Sequence, residues 1–554
     1  MVKKLTNEIY AYALENSLHY GKAKESAVLP KLFHHGLKSE DIKHIITEIK
    51  SIVNEINILS DEEKQKKFNE YKKFLAEKPE EEKGLKELPN IKGKPVFRMA
   101  PFPSGSLHIG NARTFLLNAL YAEKYKGKLL LIIDDTIGSE EKRIMFESYS
   151  LIPEAFKWLK VKYARPIIYK SDRLKIYYRY AEQLIKKDKA YVCGCSQEQL
   201  RENRANQKEC GCRIYPPKEN LKRWKKMFSA EEGKYTLRLK TSMKHPNPAF
   251  RDRVLFRISD REHARIGKKY RIWPLLEVSC AIDDHLLGVT HIIRGKELMM
   301  EGEMQKFIWD IFKWKHPQLI YVGLIKLKGL EGKLSKSKAQ KEVMSGEYSG
   351  WDDPRTWSIQ SLARRGILAE SFREFTEKIG LNQNDIEVPI DELYSINRKK
   401  LDKDSNRYSF VKEPIRLEIK NAPKISEAKV KLHPDKPNTR KIKIEKEMFI
   451  SSKDFNQFQN KEVRLMHLYN INLTKPIQFT SFENKPETPK INWVSQGVKT
   501  KIRMPDGTYT FGLAEEHIKS LKPEEIIQFE RFGFCKFDNF NKKEQEYEFW
   551  FTHN

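Results

Sequence analysis

Pro101-Phe102-Pro103-Ser104-Gly105-Ser106-Leu107-His108-Ile109-Gly110-Asn111 stands between an apolar run, Pro95 to Met99, and a long helix-forming stretch. That order predicts strand, turn, helix, an arrangement that brings backbone N–H groups and a helix N-terminus up to an anionic ligand. His108 and Asn111 are three apart, the spacing of one helical face. More than two hundred residues later comes Lys333-Leu334-Ser335-Lys336-Ser337-Lys338, a glycine-flanked run of three lysines and two serines. Such a loop suits a polyphosphate at the moment negative charge moves.

Working outward, Lys128-Leu-Leu-Leu-Ile-Ile133-Asp134-Asp135 is an apolar run ending in two carboxylates. A buried parallel strand meets a site in this way at its C-terminal end. The core pattern resumes near Tyr270-Arg-Ile-Trp-Pro274 and reaches Asp283-Asp284 and, after another apolar run, Arg294. These three are placed as ligand groups. The charged, proline-rich segment between, about 190 to 265, reads as an insertion between the two halves of a doubly wound sheet.

A chain of 554 residues exceeds one hydrophobic core, and 39% hydrophobic content suffices for several. The net charge of +28 and pI near 9.5 favour a polyanionic partner such as nucleic acid. No run approaches the roughly 20 apolar residues of a membrane span. With no signal-peptide pattern after Met1, a cytoplasmic protein is expected. Four of six cysteines cluster as Cys193-Gly-Cys195 and Cys210-Gly-Cys212, fourteen residues apart. Four thiolates can complete a tetrahedral zinc ion and leave no open position, so a structural Zn²⁺ site is expected. Cys280 and Cys535 read as packing residues.

At the N-terminal end, Ile42, Ile45, Ile46, Ile49, Val53 and Ile56 recur at helical spacing after Ser39-Glu-Asp41, a plausible cap. Ser60 to Lys92 reads as a frayed helix followed by a linker. From about residue 408, short alternating runs such as Lys441 to Glu445 and Thr500 to Met504 lie between turn residues, the pattern of β-barrels or sandwiches. Arg440, Lys441, Lys443, Lys499, Lys501 and Arg503 would form a basic surface suited to unstacked RNA bases.

The two signatures resemble the HIGH and KMSKS motifs of class I aminoacyl-tRNA synthetases. The chain as a whole is similar to the archaeal and eukaryotic branch of glutamyl-tRNA synthetases, close relatives of the glutaminyl enzymes. Further strings carry the likeness: Ser171-Asp-Arg173, Asp283-Asp-His-Leu-Leu-Gly-Val-Thr-His291, Arg294-Gly-Lys-Glu297, Gly350-Trp-Asp-Asp-Pro-Arg355 and Gln528-Phe-Glu-Arg-Phe-Gly-Phe-Cys535 among them.

The resemblance implies a multidomain α/β plus all-β fold. It would comprise an N-terminal helical domain and linker (1–90), a Rossmann-like catalytic domain in two halves (91–190 and 266–345), the cysteine insertion (191–265), a helical linking domain (346–405) and anticodon-binding β-barrels (406–554).

It also implies ligation of glutamate to tRNA with ATP and Mg²⁺, by a protein expected to be a monomer. His108, Asn111, Lys333 and Lys336 would be catalytic. Pro101, Pro103, Gly105, Gly110, Ser335 and Ser337 would join them around ATP. Arg98, Asp134 and Arg294 would hold the amino acid, Arg98 by its side chain and Asp134 by its ammonium. Phe102, Ile132, Leu276 and Glu277 depart from the family pattern in that pocket. They leave open a paralogue charging another amino acid, or a non-catalytic tRNA-binding protein.

Overall fold

The computed structural model describes residues 5–37, 41–75, 84–138, 143–329, 336–445 and 447–554. Two compact units result, Met1–Lys83 and Gly84–Asn554.

The first unit is helical. Leu5, Ile9, Ala13, Ile45, Ile49, Ile52 and Ile56 bury one stripe from each of the helices Thr6–Tyr20 and Ile42–Ile58. The expected cap at Ser39 lies outside the described residues. The frayed helix expected after Ser60 is instead a capped one, Asp61–Tyr71. Ser60 accepts from the Glu63 N–H, Glu63 reaches back to the Ser60 N–H, and the Tyr71 ring stacks on Tyr10 at 5.0 Å.

In the second unit five parallel strands form a sheet in the order Ala164–Tyr169, Lys128–Ile133, Val96–Met99, His291–Gly295, Gln318–Val322. The chain winds outward from Val96–Met99 to one side, then returns to the other. A crevice therefore opens at the carboxyl ends of Val96–Met99 and His291–Gly295, where the strand order reverses. The helix Ile109–Lys124 covers the sheet with Leu116, Leu117 and Leu120.

The insertion forms its own antiparallel sheet, Ala190–Cys193, Thr236–Leu239, Val254–Ile258 and Ile272–Pro274, packed on the helix Leu174–Lys186. Three helices, Ile359–Arg364, Ala369–Ile379 and Ile390–Leu401, precede the β region. There a seven-stranded sheet has Arg407–Tyr408 at one edge and Phe410–Lys412 at the other. Only Ser409 separates those edges, so one chain segment closes the sheet into a barrel. A four-stranded sheet, the hairpin Glu427–Lys431 with Thr439–Lys443, and the antiparallel pair Pro414–Leu417 with Met448–Ser451 complete the region.

Candidate active site at the strand-order reversal

The signature turn is held from several sides. Gly105 has φ +127°, and a Cβ there would lie 2.1 Å from the Trp351 ring, so only glycine fits. His108 is the N-cap of the Ile109–Lys124 helix, with extended backbone, and does not sit on its helical face as the spacing suggests. Its Nδ1 accepts from the Gly110 N–H at 3.1 Å, which leaves Nε2–H as the donor of the neutral ring. A Cβ on Gly110 would come within 3.0 Å of the His108 ring. Ile109 N–H donates to the Trp357 carbonyl and Ile359 N–H to the Leu107 carbonyl, tying the turn to the helical segment.

A cavity of about 750 Å³ occupies the crevice. Arg98 and Arg294 reach it from the two central strands, and His108, Asn111 and Arg113 from the helix. Arg98 is buried and clasps Asp284 through Nε and Nη2, at 2.5 and 3.2 Å. Burial opposes its charge, but Asp284, Cys280 and Asp134 together offset that and raise its pKa.

Arg294 is also buried, and among the described residues no carboxylate meets it. Its Nη2 donates to Gln305 at 3.1 Å, its guanidinium lies over the Tyr321 ring, and its Nε has no partner. Gln305 Nε2, Tyr321 Oη and Asn111 Oδ1 are likewise buried without partners. Of these residues Arg294 and Asn111 line the cavity, where a ligand can meet their unpaired atoms.

Asp134, expected to face the substrate, is 5% exposed and is held by Lys170 at 2.9 Å and by the Thr136 hydroxyl at 3.2 Å. Asp135 ties the next turn, accepting from Ser171 N–H and Oγ and from Tyr149. Glu277 pairs with Arg253, not with Arg294, and so points out of the pocket. Ile132 is buried in the sheet core and Leu276 lines the cavity, giving that wall an apolar surface. Cys280, read as a packing residue, lies 3.2 Å from Lys170 Nζ on the cavity wall; Cys535 does lie in an apolar core.

Sequence reasoning passed over Lys170 and Arg113. Arg113 donates to the Gly380 carbonyl at 2.7 Å and meets no carboxylate among the described residues, and burial pulls its pKa down to about 10. Its place two residues after Asn111, in the first turn of the Ile109–Lys124 helix, is the only signal it carries in the sequence. Lys170, one residue before Ser171-Asp-Arg173, carries none.

Of the second signature, Lys333 and Ser335 lie outside the described residues. Lys336 and Ser337 open the helix Lys336–Met344, with side chains outside the described set. The strand Ile325–Lys328 that leads toward them lines the cavity with Lys326 and Lys328.

The four cysteine sulfurs of the insertion lie within 4.8 Å of one another and can hold a metal ion. Gly194 N–H and Arg223 approach Cys212 Sγ at 3.5 and 3.7 Å, and Arg238 approaches Cys193 at 3.6 Å. A hydrogen bond from Cys193, joined by Tyr191, holds the Cys210 thiol well below its ordinary pKa.

The basic face of the C-terminal region needs correction. Arg440 is buried and grips Glu515 through Nε and Nη2, so it is a core ion pair and not a surface cation. Arg503 pairs with Asp353 at 2.8 Å and joins the barrel to the loop before the helices. Lys441, Lys443 and Lys499 are exposed, and Lys501 lies 4.3 Å over the Tyr509 ring, beside exposed Phe511.

No helix among the described residues is long and apolar enough to cross a membrane. A family model described as "tRNA synthetases class I (E and Q), catalytic domain" matches residues 95–403. Two described as the anti-codon binding domain of the same class match 405–487 and 479–538. A glutamate–tRNA ligase of Methanocaldococcus jannaschii is 38% identical over 549 residues, covering 96% of this chain and 98% of its own. One from Pyrococcus furiosus is 41% identical over 555 residues, covering 95% and 96%. A solved glutamate tRNA ligase from Elizabethkingia meningosepticum, in complex with its amino acid, is 21% identical with a TM-score of 0.41, covering 56% of this chain and 70% of its own. With the crevice, the signature turn, the family models and ligases 38% and 41% identical over nearly the whole length, the chain belongs to the class I tRNA synthetases of the E and Q family.

Proposed function

We propose that this chain is a glutamate–tRNA ligase, activating glutamate with ATP and transferring it to the 3′ end of a tRNA for glutamate. One observation carries the reading. Two buried guanidiniums, Arg98 and Arg294, stand in the wall of one cavity at the reversal of strand order. Glutamate brings two carboxylates, and arginine forks bind carboxylates with paired hydrogen bonds. The relatives named glutamate–tRNA ligase support the same reading.

The chemistry needs no protein nucleophile. A carboxylate oxygen of glutamate forms a bond to the α-phosphorus of ATP, and pyrophosphate leaves with the broken P–O bond. A terminal tRNA hydroxyl then attacks the carbonyl carbon, and AMP leaves. The protein's task is to position these groups and to stabilise charge. His108 Nε2–H and the Asn111 amide reach ATP from the helix N-terminus. Pro101, Pro103, Gly105 and Gly110 shape the turn that presents these groups to the nucleotide, Gly105 by admitting the Trp351 ring and Gly110 the His108 ring. Lys333 and Lys336, with Ser335 and Ser337, receive the charge of the departing pyrophosphate, and Mg²⁺ accompanies ATP.

Zinc fits the Cys193, Cys195, Cys210 and Cys212 cluster. Zn–S bonds of about 2.3 Å at tetrahedral angles put sulfurs nearly 4 Å apart. The N–H donors around the sulfurs favour the thiolate form that a metal requires. Bound there, zinc staples the insertion and takes no part in the reaction. Lys441, Lys443, Lys499 and Lys501 offer RNA a cationic face, with Tyr509 and Phe511 as stacking surfaces. A cytoplasmic setting agrees with six unpaired cysteines.

The test is amino-acid-dependent ATP–pyrophosphate exchange with tRNA present, run with glutamate, glutamine and the other amino acids. Glutamate is expected to drive exchange and to appear on the tRNA. Exchange driven by a different amino acid and not by glutamate would overturn the assignment.

A further inference from the structure

In and beneath the cavity wall lies an array of three cations and three carboxylates, all buried except the half-buried Arg173. Arg98 faces Asp284, Lys170 faces Asp134 at 2.9 Å, and Arg173 faces Asp283 at 2.7 Å. Lys170 is the member that needs explaining. It lies in the turn Lys170–Asp172 that follows the edge strand Ala164–Tyr169, and its side chain is 1% exposed. Its three N–H donors meet Asp134 Oδ2, Ser279 Oγ at 3.0 Å and Cys280 Sγ at 3.2 Å. Burial opposes the charge, yet Asp134, Cys280 and Asp283 together raise its pKa above the ordinary lysine value.

Asp134 is thereby withdrawn. Lys170 engages one carboxylate oxygen and Thr136 the other, and Asp134 does not line the cavity, whereas Arg98, Cys280 and Arg294 do. Of the carboxylates that do line it, Glu387 pairs with Lys328 and Glu297 is exposed to water. A substrate ammonium entering this space finds cations in place and no buried carboxylate at liberty among the described residues.

We propose that Lys170 is a specificity-determining residue: its ammonium occupies on Asp134 the place a substrate α-ammonium would take, so the site recognises its substrate by carboxylates and not by the amine. The assignment rests on reading the cavity as the glutamate subsite. It predicts weak discrimination against a five-carbon dicarboxylate that lacks the amine.

Glutarate and glutamate are titrated by calorimetry into the full chain with tRNA present. For the native protein the two dissociation constants should agree within about threefold. For Lys170→Gln, which keeps a hydrogen bond to Asp134 but removes the charge, glutamate should gain about tenfold over glutarate, the weight of one charge-assisted hydrogen bond. Lys170→Arg should keep the native ratio. A native protein that prefers glutamate tenfold or more would overturn the proposal, whether or not the variants fold. So would an unchanged ratio in a folded Lys170→Gln protein. If neither dicarboxylate binds and another amino acid drives pyrophosphate exchange, the glutamate reading falls. The Lys170 assignment is then judged by that amino acid against its own deaminated analogue.

Discussion

Arg98 and Arg294 carry the same charge in the same cavity wall and stand in different electrical states. Arg98 is already clasped by Asp284 through two of its donors, whereas Arg294 has only the neutral Gln305 and the Tyr321 ring. An uncompensated buried cation is costly, and a bound carboxylate relieves that cost. Arg294 should therefore contribute more to glutamate affinity than Arg98. Arg294→Lys keeps a charge but loses the planar fork. Its KM for glutamate is expected to rise about 10–100-fold, the value of a hydrogen bond to a charged group. Steady-state exchange kinetics measure it, and a KM within about twofold of native would show that the substrate carboxylate binds elsewhere.

At the scale of elements, the cysteine cluster shows how short segments cooperate. The strand Ala190–Cys193 ends on one thiol with Cys195 just beyond it, and the short turn Gly211–Ile214 carries Cys212 with Cys210 as its N-cap. Little apolar surface supports them beyond Tyr191 and Leu200. A small unit of this kind relies on a metal for its order. The purified protein is expected to contain about one zinc per chain. Cys210→Ser should lose the metal and unfold at a lower temperature, while affinity for tRNA should persist. Elemental analysis and thermal melts decide it; a metal-free native protein in reducing buffer, with the insertion folded, would refute the site.

At the scale of the whole second unit, the closed barrel is locked to the helices by its last strand, Glu546–His553. Arg365 donates to the carbonyls of Phe551 and Thr552, and Arg364 pairs with Asp538 at 3.0 Å. His553 accepts from Asn397 through Nε2 at 3.0 Å and directs Nδ1 to the Asn554 carbonyl, the arrangement of a neutral ring. Burial lowers its pKa from 6.5 to about 4.

The unfolded chain then binds a proton that the folded chain refuses. The stability supplied by neutral His553 is fully present above pH 6.5 and is lost as pH falls toward 4, by about 3 kcal/mol. Urea unfolding of native protein and His553→Gln between pH 7 and pH 4 tests this. The native protein should lose more stability over that window, and parallel curves would refute the assignment.

Much of this was legible in the sequence because it depends on local chemistry. The turn at Pro101–Asn111, the apolar run before Asp134 and the paired cysteines each state their geometry within a short stretch of chain. Alternating patterns after residue 408 specify strands for the same reason, since side-chain period is a property of the backbone. The helix after Ser60 is firmer than its charge pattern suggests because a capping box fixes its start.

What only the tertiary structure decided is which charges meet. Arg173 and Asp283 are 110 residues apart, Arg98 and Asp284 are 186 apart, and Arg440 finds Glu515 across 75. Ion pairing acts over a few ångströms in space and leaves no trace in linear spacing. Arg440 could thus read as an RNA contact and prove a core ion pair, while Asp134 could read as a substrate ligand and prove already held. The sequence by itself determined the frame and the family strings. Folding decided which members of that frame remain free to meet a ligand, because folding alone sets their neighbours.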